Sequence, residues 1–179
     1  MRLIRIAVMF GCVAMCAACA CAGDDDKEED KGDTWIDPAT GFTWQVGRSP
    51  EELTWDDAVA YCDSLELGGG DLWRLPNIGE LRTLIRGCPA TETGGSCQIA
   101  ADCLSDECES LDCDGCWEEE GPVGGCFAPS ELDHVCGSFW STSQLEGYGL
   151  MGYIFFGDAM VTFGSTETPR YARCLLTPW

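Results

Sequence analysis

The sequence predicts an α+β domain in which two helices pack on an antiparallel sheet, with a disulfide-rich irregular insert after the second helix. Three observations lead there. Helical periodicity is confined to the stretch between Thr54 and Gly87. Aromatic and β-branched runs separated by glycines fill the chain from Phe139 onward, and eight cysteines crowd between Cys88 and Cys136. Helices early and strands late favour an α+β arrangement over alternating βαβ units.

The first element is a strand over Gly41–Val46, where Phe42 and Trp44 alternate with Thr43 and Gln45, and it opens the domain. A helix follows. Thr54 precedes Asp57 by three residues in a capping-box arrangement, and Trp55, Ala58, Val59, Cys62 and Leu65 share one face. Gly68, Gly69 and Gly70 then end the regular structure. The second helix begins after Pro76, with Asn77 as N-cap, Glu80 at the third position and Ile78, Leu81, Leu84 and Ile85 turned inward, until Gly87 closes it. Arg74 stands where Glu80 can pair with it. The C-terminal third reads as strands over 139–143, 148–156, 159–163 and 171–176, with Gly157 and Asp158 forming a two-residue hairpin.

The N-terminus has the order of an export signal, with Arg2 and Arg5 ahead of an apolar run from Ile6 to Ala18. At about 13 to 15 residues that run is shorter than the roughly 20 a membrane-crossing helix needs. Residues 1–18 are therefore expected to be a signal peptide of the lipoprotein type. Ala17 and Ala18 before Cys19 resemble a lipobox, which makes Cys19 the expected lipidated residue; Cys21, or plain cleavage near Ala22, are the alternatives. Residues 19–33 contain DDDKEEDKGD, which has nothing apolar to bury and is expected to stay disordered as an acidic tether. The domain proper is residues 34–179, with 88–136 as its cysteine-rich insert.

With 31 acidic against 10 basic residues the formal net charge is −21, and no Lys or Arg occurs between Arg86 and Arg170. Nucleic acid and other polyanions are poor partners for such a surface. Cations are the natural counter-charge. Asp112, Asp114 and Glu118 are the candidate calcium ligands, offering hard oxygens within a crosslinked loop, although their spacing does not complete an EF-hand. A solvated acidic face needing no cofactor is the plainer reading.

Catalytic signals are few. Gly147, Gly149 and Gly152 spell GxGxxG but precede a strand rather than a helix. His134 is the single histidine and stands in no nucleophile motif. Cys113 and Cys116 have the CxxC spacing of a zinc site, yet an even count of cysteines behind an export signal favours disulfides. Trp44, Trp55, Trp73 and Trp140 fall on predicted core faces. Trp117, in the insert, is the tryptophan expected to contact a ligand.

The segments TGFTWQ (Thr40–Gln45), LTWDDAVAYCDSL (Leu53–Leu65), LWRLPNIGELRTLI (Leu72–Ile85), FWSTS (Phe139–Ser143) and YARCL (Tyr171–Leu175) together resemble the Lcl C-terminal domain family, a bacterial domain of unknown function. The resemblance covers nearly the whole chain after Thr40, apart from the insert. It implies an exported or surface-anchored protein with a fold like the C-type-lectin and formylglycine-generating-enzyme group. It also implies that Cys62 pairs with Cys174, because the two occupy matching motifs.

Cys88, Cys97, Cys103, Cys108, Cys113, Cys116, Cys126 and Cys136 then close among themselves, in one of on the order of 100 pairings. The insert holds few large apolar residues, so crosslinks are expected to replace a core there. The functional expectation is a non-enzymatic binding or adhesion module at the bacterial cell envelope, on the outer membrane or cell surface. It would be anchored in the membrane by its lipid and bind an unidentified extracellular or envelope ligand, protein or glycan. A structural envelope lipoprotein without a dedicated ligand is the alternative, and a formylglycine-type catalyst comes third.

Overall fold

The computed structural model describes residues 33–70 and 72–177. The expected signal peptide, Cys19 and nearly all of the expected acidic tether fall outside them. Among the described residues two antiparallel sheets share the work of one. The first has the order β1-β2-β7-β3, from β1 (Thr34–Ile36), β2 (Thr43–Gln45), β3 (Trp73–Arg74) and β7 (Leu175–Leu176). The second has β4 (Ser138–Gln144), β5 (Met151–Phe155) and β6 (Met160–Gly164) in sequence order. Helices α1 (Trp55–Asp63) and α2 (Ile78–Arg82) pack against them.

The domain opens one strand earlier than the sequence indicates. β1 pairs with β2, setting Trp35 opposite Trp44. Asp37 makes the turn between them: its carboxylate accepts from the Ala39 N–H and the Thr40 hydroxyl, each at 3.0 Å, and the Gly41 N–H returns to its carbonyl. Side-chain mimicry of a turn is what Asp does well. This hairpin depends on that local network, because three residues carry too little periodicity to announce a strand.

In α1 the Thr54 hydroxyl accepts from the Asp57 N–H and donates to the Asp57 carboxylate at 2.6 Å. Ala58 and Cys62 are the residues it buries. Its neighbour Trp55 donates its indole N–H across to the Ser141 carbonyl on β4. The capping box of α2 is complete: Asn77 Oδ1 accepts from the Glu80 N–H, and Glu80 accepts from the Asn77 N–H. This helix is only five residues long, however, and Leu84 and Ile85 reach the core from tighter turns beyond it. The Thr83 hydroxyl bonds back to the Glu80 carbonyl. Arg82, buried, turns aside to bind the carbonyls of Thr91, Glu92 and Ile99.

The β4–β5 ladder shifts register between Trp140 and Gln144, a bulge. It frees the Thr142 N–H to bond the Pro76 carbonyl at 2.8 Å, which ties the sheet to the start of α2. The β5–β6 connection also departs from the expected two-residue hairpin. Phe155 pairs with Met160, leaving a four-residue turn in which Ala159, not Gly157, takes the positive φ of 62°.

Between the sheets runs the segment 170–174. Tyr171 exchanges backbone bonds with Ser138 and Trp140, and Leu175 then joins β2 and β3. Arg170 stacks on Trp140 and Tyr153 with its guanidinium 4.2 and 3.8 Å from the ring centroids. Trp44, Trp73 and Trp140 are buried, Trp55 partly so.

The insert is not an appended loop. Ile99, Phe127 and Leu132 are buried in the same apolar cluster as Trp44, Ile78, Leu81 and Ile154, together with Cys88, Cys97, Cys108 and Cys113. Its backbone joins the domain as well: Phe127 bonds Arg86 and Phe156, and the Cys116 N–H bonds the Asp158 carbonyl. Gly115 permits that last contact, since a Cβ there would stand 2.2 Å from the Asp158 oxygen and its φ is +84°. Spacing and count could not reveal this integration, because residues far apart in sequence supply it.

Candidate binding surfaces on the cysteine-rich insert

Five disulfides are formed among the described residues. Cys62 joins Cys174 across 112 residues, linking α1 to the residue before β7. Three of the others are nested: Cys88–Cys116 encloses Cys97–Cys113, which encloses Cys103–Cys108. Cys126–Cys136 closes separately. Because Cys113 and Cys116 are each bonded elsewhere, the zinc reading of their CxxC spacing is lost. Such bridges belong to an oxidising compartment.

The nest shapes two short 3₁₀ turns, Asp106–Cys108 and Leu111–Cys113, which bury their cysteines and turn their polar and apolar neighbours outward. Leu111 is 87% exposed and Trp117 is 70% exposed. Side chains from the β4–β5 turn and from β6 brace this face. The Tyr148 hydroxyl donates to Asp106 at 2.7 Å, and the Thr162 hydroxyl to Glu109 at 2.9 Å. Burial raises the pKa of Asp158, and the charge of Asp114 adds to the effect.

Asp112, Asp114 and Glu118 are exposed and do not converge; among the described residues no three His, Cys, Asp or Glu side chains gather to hold a metal ion. The calcium expectation therefore has no assembled site behind it. The physical reason lies in the turns, which splay these carboxylates toward water around buried sulfurs. His134 is exposed, and Gly147 and Gly149 serve as left-handed turn residues before β5.

Another part of the insert, from Pro122 to Glu131, lines an open groove of about 380 Å³. Trp35, Asp37 and Pro38 of the β1–β2 hairpin line it together with Arg86 and with Pro122, Val123, Pro129 and Glu131. Arg86 Nη1 donates to the carbonyls of Thr83 and Ile85, and Nη2 lies 3.6 Å from the buried Asp37 carboxylate. Trp117 is not among the residues that line this groove.

A family model described as the Lcl C-terminal domain matches residues 33–175. The chain belongs to the Lcl C-terminal domain family. No curated protein and no solved structure gives a significant match.

In this Lcl C-terminal domain the segments that carried the resemblance sit on the framework, not on the exposed surfaces. TGFTWQ builds the turn into β2, WRLP builds β3 and leads to α2, and YARC crosses between the sheets. Arg74 of the WRLP segment makes a two-pronged bond to Glu80, at 2.8 and 2.6 Å. Burial pushes the Glu80 carboxyl upward, but hydrogen bonds from Arg74 and Asn77 and the Arg74 charge outweigh it and hold its pKa below the usual range. Sequence reasoning missed the groove, because part of its lining comes from the β1–β2 hairpin. It also missed Asp133, whose role depends on arginines from two distant segments.

Proposed function

We propose that this Lcl C-terminal domain is an exported, non-enzymatic binding module carried at the bacterial cell envelope on a lipid-modified Cys19. Its recognition surface is the disulfide-locked face of the insert that bears Trp117. One observation carries the reading. A tryptophan left 70% exposed follows directly on Cys116, whose bridge to Cys88 fixes its backbone on a core-anchored platform. A large aromatic on a crosslinked backbone, with few rotatable bonds of its own, loses less entropy when a partner covers it, which is the usual character of an interface anchor.

Two observations support the rest of the reading. The ten described cysteines are all disulfide-bonded, which leaves none of them a free thiol for formylglycine-type chemistry. The Cys62–Cys174 bridge ties the first helix to the end of the domain, the pairing that the family resemblance implies.

The test is a glycan and envelope-protein binding screen on the oxidised protein, repeated with Trp117→Ala. Deleting 88–136 is unsuitable because it would strip Ile99, Phe127 and Leu132 from the core. Loss of the strongest signal in the variant, with an unchanged melting temperature, is the expected result. Equal binding by both proteins would remove Trp117 from recognition, and no binding by either would favour the purely structural envelope role.

A further inference from the structure

We propose that the groove between β1 and the insert is a second binding site, and that it takes a basic, apolar segment of a partner protein. This rests on different residues from the Trp117 surface.

The walls are rigid. Pro38, Pro122 and Pro129 present rings with little rotamer freedom, and Trp35 supplies the broad apolar face. Each wall is held independently: the hairpin by the Asp37 turn network, the insert by Cys126–Cys136 and by the Cys126 and Val123 backbones, which bond one another. Pro122 also seats against Gly87, where an added Cβ would come within 3.0 Å of its ring. A cleft of about 380 Å³ lies near the small end of ligand sites and is too open to enclose a free small molecule. Its scale and its proline-rich lining suit a few side chains of an extended polypeptide.

The charge selects the partner. Arg86 is the one cation lining the groove, and it is already engaged by Asp37 and by two backbone carbonyls. What is left is Glu131, exposed, accepting from the Ser130 hydroxyl at 3.1 Å and in no ion pair among the described residues, on a stretch of chain without a Lys or Arg from 87 to 169. Apolar lining residues beside an exposed carboxylate complement a segment that places Lys or Arg beside an aliphatic or aromatic residue. A second copy of the chain is the poorer occupant, since a formal net charge of −21 repels itself.

The experiment is fluorescence anisotropy on the full oxidised protein with matched labelled peptide libraries: basic-apolar, acidic-apolar, and basic with the apolar positions changed to Ser. The basic-apolar library is expected to bind, and more weakly as salt rises. Glu131→Lys, a change at an exposed site, should weaken it by about tenfold or more. Val123→Trp should block it by filling the groove, and Trp117→Ala should leave it unchanged. Equal binding of the acidic library would overturn the proposal, as would full affinity in Glu131→Lys or an absence of binding by every library. Self-association that Val123→Trp abolishes in sedimentation would also overturn it, by seating a second copy in the groove.

Discussion

Asp133, from the cysteine-rich insert, accepts a hydrogen bond from the guanidinium of Arg173, the residue before the final cysteine of the domain. The same carboxylate bonds Arg48, so one side chain joins the insert to both the early loop and the last segment. Arg173 is 3% exposed, and burial lowers its pKa against the opposing pull of Asp133. A buried guanidinium without its counter-charge is costly.

Asp133→Ala is therefore expected to destabilise the oxidised domain by about 3 kcal/mol, measured by urea unfolding with the disulfides intact. The Gln45 and Val46 carbonyls would still receive Arg173. A loss below about 0.5 kcal/mol would show that those carbonyls are sufficient and that the carboxylate is incidental.

Loop length ranks the disulfides. Cys62–Cys174 closes 112 residues, shortened in the unfolded chain by the bridges it encloses, and should contribute about 4 kcal/mol; Cys103–Cys108 closes 5 and should contribute about 2. Replacing each pair with Ala, followed by thermal and urea unfolding, tests the order. The reverse ranking would mean that native packing outweighs chain entropy here.

The Arg74–Glu80 pair sets an acid dependence. Since the folded pKa of Glu80 lies below its unfolded value, its stabilisation is fully present above about pH 4.3 and is lost as pH falls through the folded value. Glu80→Gln should cost stability at neutral pH and flatten the acid limb of the stability profile. Parallel profiles for the two proteins would contradict the assignment.

Asp158 has the opposite sign. Its raised pKa means that stabilisation is present below the unfolded value and is lost as pH rises through the folded one, leaving an ionised, partly buried carboxylate near Asp114 at neutral pH. Asp158→Asn retains an acceptor for the Met160 N–H, now met at 2.9 Å, and should be the more stable protein at pH 7. The advantage should close toward about pH 4. A variant less stable at every pH would show that the carboxylate's hydrogen bonds outweigh its desolvation.

Local chemistry made part of this protein readable in advance. The Thr54 and Asn77 caps, the inward face of α1 and the Arg74–Glu80 pair all lie within a few residues of their partners, so residue type and spacing were enough to determine them. The same holds for the even set of cysteines and the acidic surface. Tertiary structure decided the rest. It ended α2 at Arg82 and set that side chain against three insert carbonyls, and it raised β1 from an unremarkable segment by pairing it with β2. It chose the nested disulfides, and it turned the insert inward, with Ile99, Phe127 and Leu132 completing a core that the surrounding domain leaves open. Those outcomes depend on contacts between residues tens of positions apart, whose energies no local pattern records.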